Sequence, residues 1–176
     1  MTRTITALFA ALLFTLGTTA TLADDWSFTY SSSSSSSSSH SGPNGHANQS
    51  SSQSTSYEIS QQNGRLEASY NHEQERSGSY STPGSSGSYQ QGSYNRGSIA
   101  SDGQTVEAAR SQGSYSHAEH TRGNTSMTRG QASFTEETYR SGPNSVEASR
   151  SRGGLAYGSY QSPRGSASYG TAYVDR

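Results

Sequence analysis

The phrase "RLEASY", Arg65 to Tyr70, returns as "TVEAAR" from Thr105 and as "SVEASR" from Ser145, so Leu66, Val106 and Val146 recur at one fixed interval of forty residues. A chain that repeats an aliphatic-Glu-Ala phrase at constant spacing is built from copies of one unit, and such units need neighbours to cover the face they cannot bury alone. The residues after each phrase give the local structure. In "RLEASYNHEQERSGSY" the even positions carry Leu66, Ala68, Tyr70 and Tyr80, while the odd ones carry Glu67, Ser69, Glu73 and Glu75. This is the period of a β-strand with one more apolar face. A helical period finds no sustained apolar stripe here.

The turns set the register. Asn63-Gly64 suits a two-residue type I′ turn, which needs positive φ at both central positions. Folding about it places Ile59 opposite Ala68, Tyr57 opposite Tyr70 and Glu58 opposite Ser69. Asp102-Gly103, read the same way, places Ile99 opposite Val106 and Gly97 opposite Ala108. Pro143-Asn144 places Tyr139 opposite Ala148 and Glu137 opposite Arg150. The expected assembly face is therefore Tyr57, Ile59, Leu66, Tyr70, Ile99, Val106, Tyr139 and Val146. A longer echo, "GSYSTPGSSGSY" from Gly78 and "GSYQSPRGSASY" from Gly158, runs in phase with two copies.

Composition limits what these hairpins can build. Beyond Ala23 the Leu, Ile, Val and Phe residues are Phe28, Ile59, Leu66, Ile99, Val106, Phe134, Val146, Leu155 and Val174, far below the ~20% of an ordinary globular domain. No cysteine is present to staple the fold. The expected fold class is all-β: repeated antiparallel β-hairpins forming an extended single-layer sheet or solenoid, with a low-complexity disordered N-terminal lead-in. Residues 1–23, with Arg3 ahead of an apolar run from Ala7 to Leu16, read as a secretory signal peptide cleaved after Ala23. Residues 24–54, including the serine run Ser31 to Ser39, read as a Ser-rich, flexible or weakly β segment, and residues 55–176 as the hairpin region. No segment after the signal is apolar enough to span a bilayer.

Chemical motifs are thin. His117 and His120 of "HAEH" would point to opposite faces of a strand, and a zinc site needs convergent ligands. His40 and His46 flank another turn without a third ligand. No nucleophile elbow or phosphate loop occurs, so neither catalysis, a cofactor nor a metal is expected. Asn48 and Asn124 head glycosylation sequons, which arise readily by chance in so Ser-rich a chain. Removing Arg3, the sole charge of the signal, moves the formal net charge from -1 to -2, no footprint for nucleic acid. The basic residues are all arginine, and with the twelve tyrosines of the "GSY" units they suggest cation-π contacts.

In its Gly, Ser, Gln, Asn and Tyr content the chain is similar to curli-like fibre subunits and to silk and eggshell proteins. It lacks the regular Gln and Asn ladder of curlin repeats, and its repeat is longer. The sequence thus predicts a secreted or cell-surface structural protein that self-associates. A polysaccharide or surface-binding module, and a disordered spacer, are the alternatives.

Overall fold

The computed structural model describes residues 25–176; the expected signal peptide over 1–23 lies outside them. Eight strands follow in order: β1 (Trp26–Gly42), β2 (Gly45–Gln62), β3 (Arg65–Thr82), β4 (Ser85–Ser101), β5 (Val106–Arg122), β6 (Thr125–Gly142), β7 (Ser145–Ser162) and β8 (Gly165–Asp175). They form one antiparallel sheet in sequence order, with β1 and β8 as its free edges. The all-β, single-layer hairpin architecture expected from the repeat is what the chain builds.

Residues directly opposed across the strands form straight rows. Trp26 faces Gln61, which faces Leu66, which faces Ser101, and the row continues through Val106 and Ser141 to Val146. Moving two strands across adds forty to the residue number at a given height. That is the physical origin of the repeat: the aliphatic-Glu-Ala phrase opens β3, β5 and β7 at one level of the sheet. The rows carry no stagger, and closure into a barrel requires one; the sheet stays open.

The structural unit is half the sequence repeat. Turns at Pro43-Asn44, Pro83-Gly84, Gly123-Asn124 and Pro163-Arg164 alternate with the three expected ones, so every strand and its turn occupy about twenty residues. The echo at Gly78 and Gly158 is the hairpin β3–β4 repeated as β7–β8. Asn63 (φ 50°) and Gly64 (φ 77°) have the two positive φ values of a type I′ turn. The registers about Asn63-Gly64 and Pro143-Asn144 stand as expected.

The register at Asp102-Gly103 differs. The loop has four residues, Ser101 faces Val106, and Ile99 faces Ala108 instead of Val106, while Gly97 faces Arg110 instead of Ala108. The Asp102 carboxylate accepts the N–H groups of Gln104 (2.9 Å) and Thr105 (2.7 Å), and the Thr105 carbonyl accepts the Asp102 N–H at 3.4 Å. This side-chain-to-backbone capture holds the wider loop. A shift of two residues keeps every side chain on its face.

The Ser-rich segment is also ordered. Residues 26–42 form β1 and residues 45–54 the first part of β2, paired without interruption from Trp26↔Gln61 to Gly42↔Gly45. Serine is a weak strand former, so its neighbours decide. The Trp26 indole N–H donates to Gln61 Oε1 at 3.1 Å at one end, the turn closes the other, and hydroxyl contacts such as Ser36–Ser51 (2.8 Å) and Ser50–Ser77 (2.8 Å) lace the middle. Among the described residues no second layer covers the sheet. Among the described residues Ala68 (5% exposed) is the one buried apolar side chain, seated between Ile59 and Ile99 in its row.

Candidate assembly surface

Alternate rows share a face. At the end of the sheet carrying Asn63-Gly64 and the 102–105 loop, the large apolar side chains gather on one face in three successive rows. The first holds Trp26, Leu66, Val106 and Val146. The second alternates large and small: Phe28 and Ile59, then Ala68, Ile99, Ala108, Tyr139 and Ala148. The third holds Tyr30, Tyr57 and Tyr70 before turning charged at Arg110, Glu137 and Arg150. The structure thus places all eight side chains read as the assembly face (Tyr57, Ile59, Leu66, Tyr70, Ile99, Val106, Tyr139 and Val146) on one face, within these three rows. Trp26, Phe28 and Tyr30 extend the band onto β1. The sequence hides them because the serine run that follows them carries no strand signal. The band is open to solvent, with Phe28 58% and Val146 68% exposed.

The opposite face at the same height is charged. Glu67 and Glu107 stand in one row with Arg140 and Glu147. Arg65 reaches Glu67 (2.8 Å) and Glu107 (3.5 Å), and Arg140 also reaches Glu107 (3.4 Å). These pairs line a shallow groove of about 860 Å³. Being well exposed, each pair contributes little stability. Their effect is to keep this face wet while the other is apolar.

Along the rest of the sheet, tyrosines lie over glycines. The "GSY" units pair reciprocally: Gly78 faces Tyr89 while Tyr80 faces Gly87, and Gly92 faces Tyr115 while Tyr94 faces Gly113. A Cβ on any of these four glycines would meet the opposed ring within 3.0 Å. Gly97 with Tyr70, Gly130 with Tyr157, Gly153 with Phe134, Gly154 with Tyr173 and Gly158 with Tyr169 repeat the arrangement. A ring laid over a cross-strand glycine covers backbone that would otherwise be wet, restoring packing to a weak strand residue.

Two of these rings cross the glycine strand completely. Tyr80 passes over Gly87 to His120 Nδ1 on β5, and Tyr157 passes over Gly130 to His117 Nδ1 at 2.8 Å. His117 and His120 sit on opposite faces, each bonded to its own tyrosine. Tyr115 crosses Gly92 toward Glu75 in the same row; burial and then the Glu75 charge push its phenol above the ordinary value. The expected Arg–Tyr contacts are represented by Arg96 over Tyr94 at 5.3 Å. Hydrogen bonds from Arg96 and Asn71 hold the Glu73 carboxyl below its usual range. Asn48 Oδ1 accepts from the Ser79 N–H (3.0 Å) and hydroxyl (3.1 Å), so this sequon is engaged within the sheet, while Asn124 lies in a turn. Among the described residues, no group of three or more His, Asp or Glu side chains could hold a metal ion, and no helix is long and apolar enough to cross a membrane.

No protein-family model matches the chain, and no curated protein matches it. Among solved structures it is similar to the ferric citrate transporter FecA in its unliganded form, with 12% identity and a TM-score of 0.33 over 77% of this chain. The chain spans 27% of that transporter's length. It is also similar to the beta domain of the Bordetella autotransporter BrkA, with 10% identity and a TM-score of 0.24, covering 86% of each chain.

Proposed function

We propose that the chain is an exported structural element whose single-layer sheets stack through the apolar band into an extracellular material. The observation that carries this reading is the band itself: two rows with apolar side chains across seven strands and a third that is aromatic over β1–β3, uncovered among the described residues, with charged side chains behind it on the other face. At ~4.8 Å between strands and ~6.8 Å between same-face rows, the band covers roughly 500 Å². A patch of this size matches the largest apolar patch of a typical monomer, which is often functional. Two sheets pressed band to band would bury about 1,000 Å² in total, the lower bound for a specific interface. The charged faces would then point outward and keep the assembly hydrated.

The test is sedimentation velocity with fibre diffraction on the mature chain. Concentration-dependent assembly should appear together with a reflection near ~10 Å, the spacing of stacked sheets. Replacing Ile59, Leu66, Ile99, Val106 and Val146 with Ser should remove that reflection. A wild-type chain that stays monomeric at high concentration, or a variant that keeps the stacking reflection, refutes the reading.

A further inference from the structure

We propose that the two edges of the sheet join copies head to tail, β1 of one copy pairing as a ninth strand along β8 of the next. This rests on the self-assembly reading above and names its growth direction. Both edges lack the devices that normally block strand addition, such as charged side chains, proline and bulges. β1 contains no Asp, Glu, Lys, Arg or Pro in its seventeen residues. β8 has one charge, Asp175 at its end, and Arg152 of β7 already holds it at 2.7 Å and 2.9 Å. Among the described residues, unpaired N–H and C=O groups therefore run along an uncharged β1 and a β8 whose single charge is already paired.

The straight rows decide how the edges meet. Each strand pair repeats the register of the one before it without stagger, so a second copy's β1 in the ninth position keeps every row in phase. In that register the eleven residues of β8 meet Ser32 to Gly42 of the incoming strand. Tyr169 would face Ser38, Tyr173 would face Ser34 and Thr171 would face Ser36. Small partners opposite tyrosine already occur within the sheet, as in Tyr89↔Ala118 and Tyr115↔Ala132. Tyr169 and Tyr173 are 62% and 59% exposed, against 39% for Tyr89 and Tyr115, which have a strand on either side. The added strand would supply the missing neighbour. Joining unlike edges also leaves an identical pair of edges at the ends, so growth does not close.

The native chain has no cysteine, which makes cross-linking clean. Single variants Ser36→Cys and Thr171→Cys should each stay uncross-linked alone, cross-link when mixed, and give a reducible ladder of multimers when combined in one chain. Ser37→Cys with Thr171→Cys should give none, because residue 37 faces the other side of the sheet. Within one copy, Ser36 and Thr171 stand at opposite edges, seven strand spacings or ~34 Å apart, so a ladder cannot be intramolecular. Cross-links only between like variants, or none while sedimentation and the stacking reflection persist, overturn the edge pairing and leave the stacked sheet standing. A wild-type chain that remains monomeric overturns both.

Discussion

Replacing Gly92 with Ala tests the ring-over-glycine seat at one well-defined place. An added Cβ would stand 2.5 Å from Tyr115 Cε1, 2.8 Å from Cζ and 2.9 Å from the hydroxyl, where ~3.5–4.0 Å is the comfortable separation. The ring must lift by about an ångström. If that raised Tyr115 from 39% exposed to the 62% of the edge residue Tyr169, roughly a quarter of a ~200 Å² side chain would be uncovered. At ~25 cal/mol per Å² this costs about 1.2 kcal/mol. Residual crowding and loss of the approach to Glu75 bring the cost to about 2 kcal/mol. Against it stands the ~0.5–1 kcal/mol normally gained when Ala replaces Gly in a strand. The net is about 1–1.5 kcal/mol of destabilisation, read as roughly tenfold faster amide exchange in β4 and β5.

Two comparisons make the sign decisive. In a Tyr115→Ala background the obstacle is gone, so Gly92→Ala should stabilise by ~0.5–1 kcal/mol, giving a coupling energy near 2 kcal/mol. Gly170→Ala should likewise stabilise, because the nearest atom to its Cβ would be the Ala156 carbonyl oxygen at 4.0 Å. Exchange measured on the wild type and the four variants under one condition supplies the numbers. If Gly92→Ala slows exchange whether or not Tyr115 is present, the ring is not seated on the glycine and the reasoning fails.

Gly64→Val should raise exchange in both arms from Tyr57 to Tyr70, because a β-branched residue resists the positive φ found there; unchanged protection would contradict the turn. Asp102, its carboxyl held down to about 2 from 3.8 by the backbone N–H groups of Thr105 and Gln104, has the depressed pKa of a group that stabilises only when ionised. Its contribution is present above pH 3.8 and lost as pH falls toward 2, so exchange at Gln104 and Thr105 should rise over that window, and Asp102→Ala should show the faster rate at neutral pH. Tyr115 runs the other way: its raised pKa means a contribution present below pH 10 and lost as pH rises through the folded value, visible as loosening of β4–β5 in Tyr115 but not in Tyr115→Phe. Trp26→Ala removes the indole bond to Gln61 and should fray β1 from that end, measured as lost protection across Phe28 to Ser31.

The sheet was legible wherever one residue type has one structural meaning. Asn63-Gly64 specifies its turn almost alone, and the period of two through Leu66, Ala68 and Tyr70 specifies both the strand and its face. Asp102-Gly103 does not specify its register alone, because the same dipeptide serves a two-residue turn and a wider loop closed by the Asp carboxylate; the choice depends on whether that carboxylate finds the N–H groups of Gln104 and Thr105. The serine run is ambiguous for a different reason. Nothing in Ser31 to Ser39 favours a strand, and β1 exists because Trp26, Phe28 and Tyr30 fasten one end of it beside Gln61, Ile59 and Tyr57. The glycine–tyrosine seats were in plain sight as "GSY", yet no single unit reveals them. A glycine two residues from a tyrosine forms a reciprocal pair of seats when an antiparallel partner brings the same triplet in reverse, so that each ring meets the other's gap. "GSYSTPGSSGSY" contains both triplets and the turn between them. Folding it about Pro83-Gly84 sets Gly78 against Tyr89 and Tyr80 against Gly87, an inference available from the spacing once Pro83-Gly84 is recognised as a turn. Reading that turn would also have halved the repeat, because a strand that reverses at Pro83-Gly84 cannot belong to a unit longer than the distance to Asn63-Gly64.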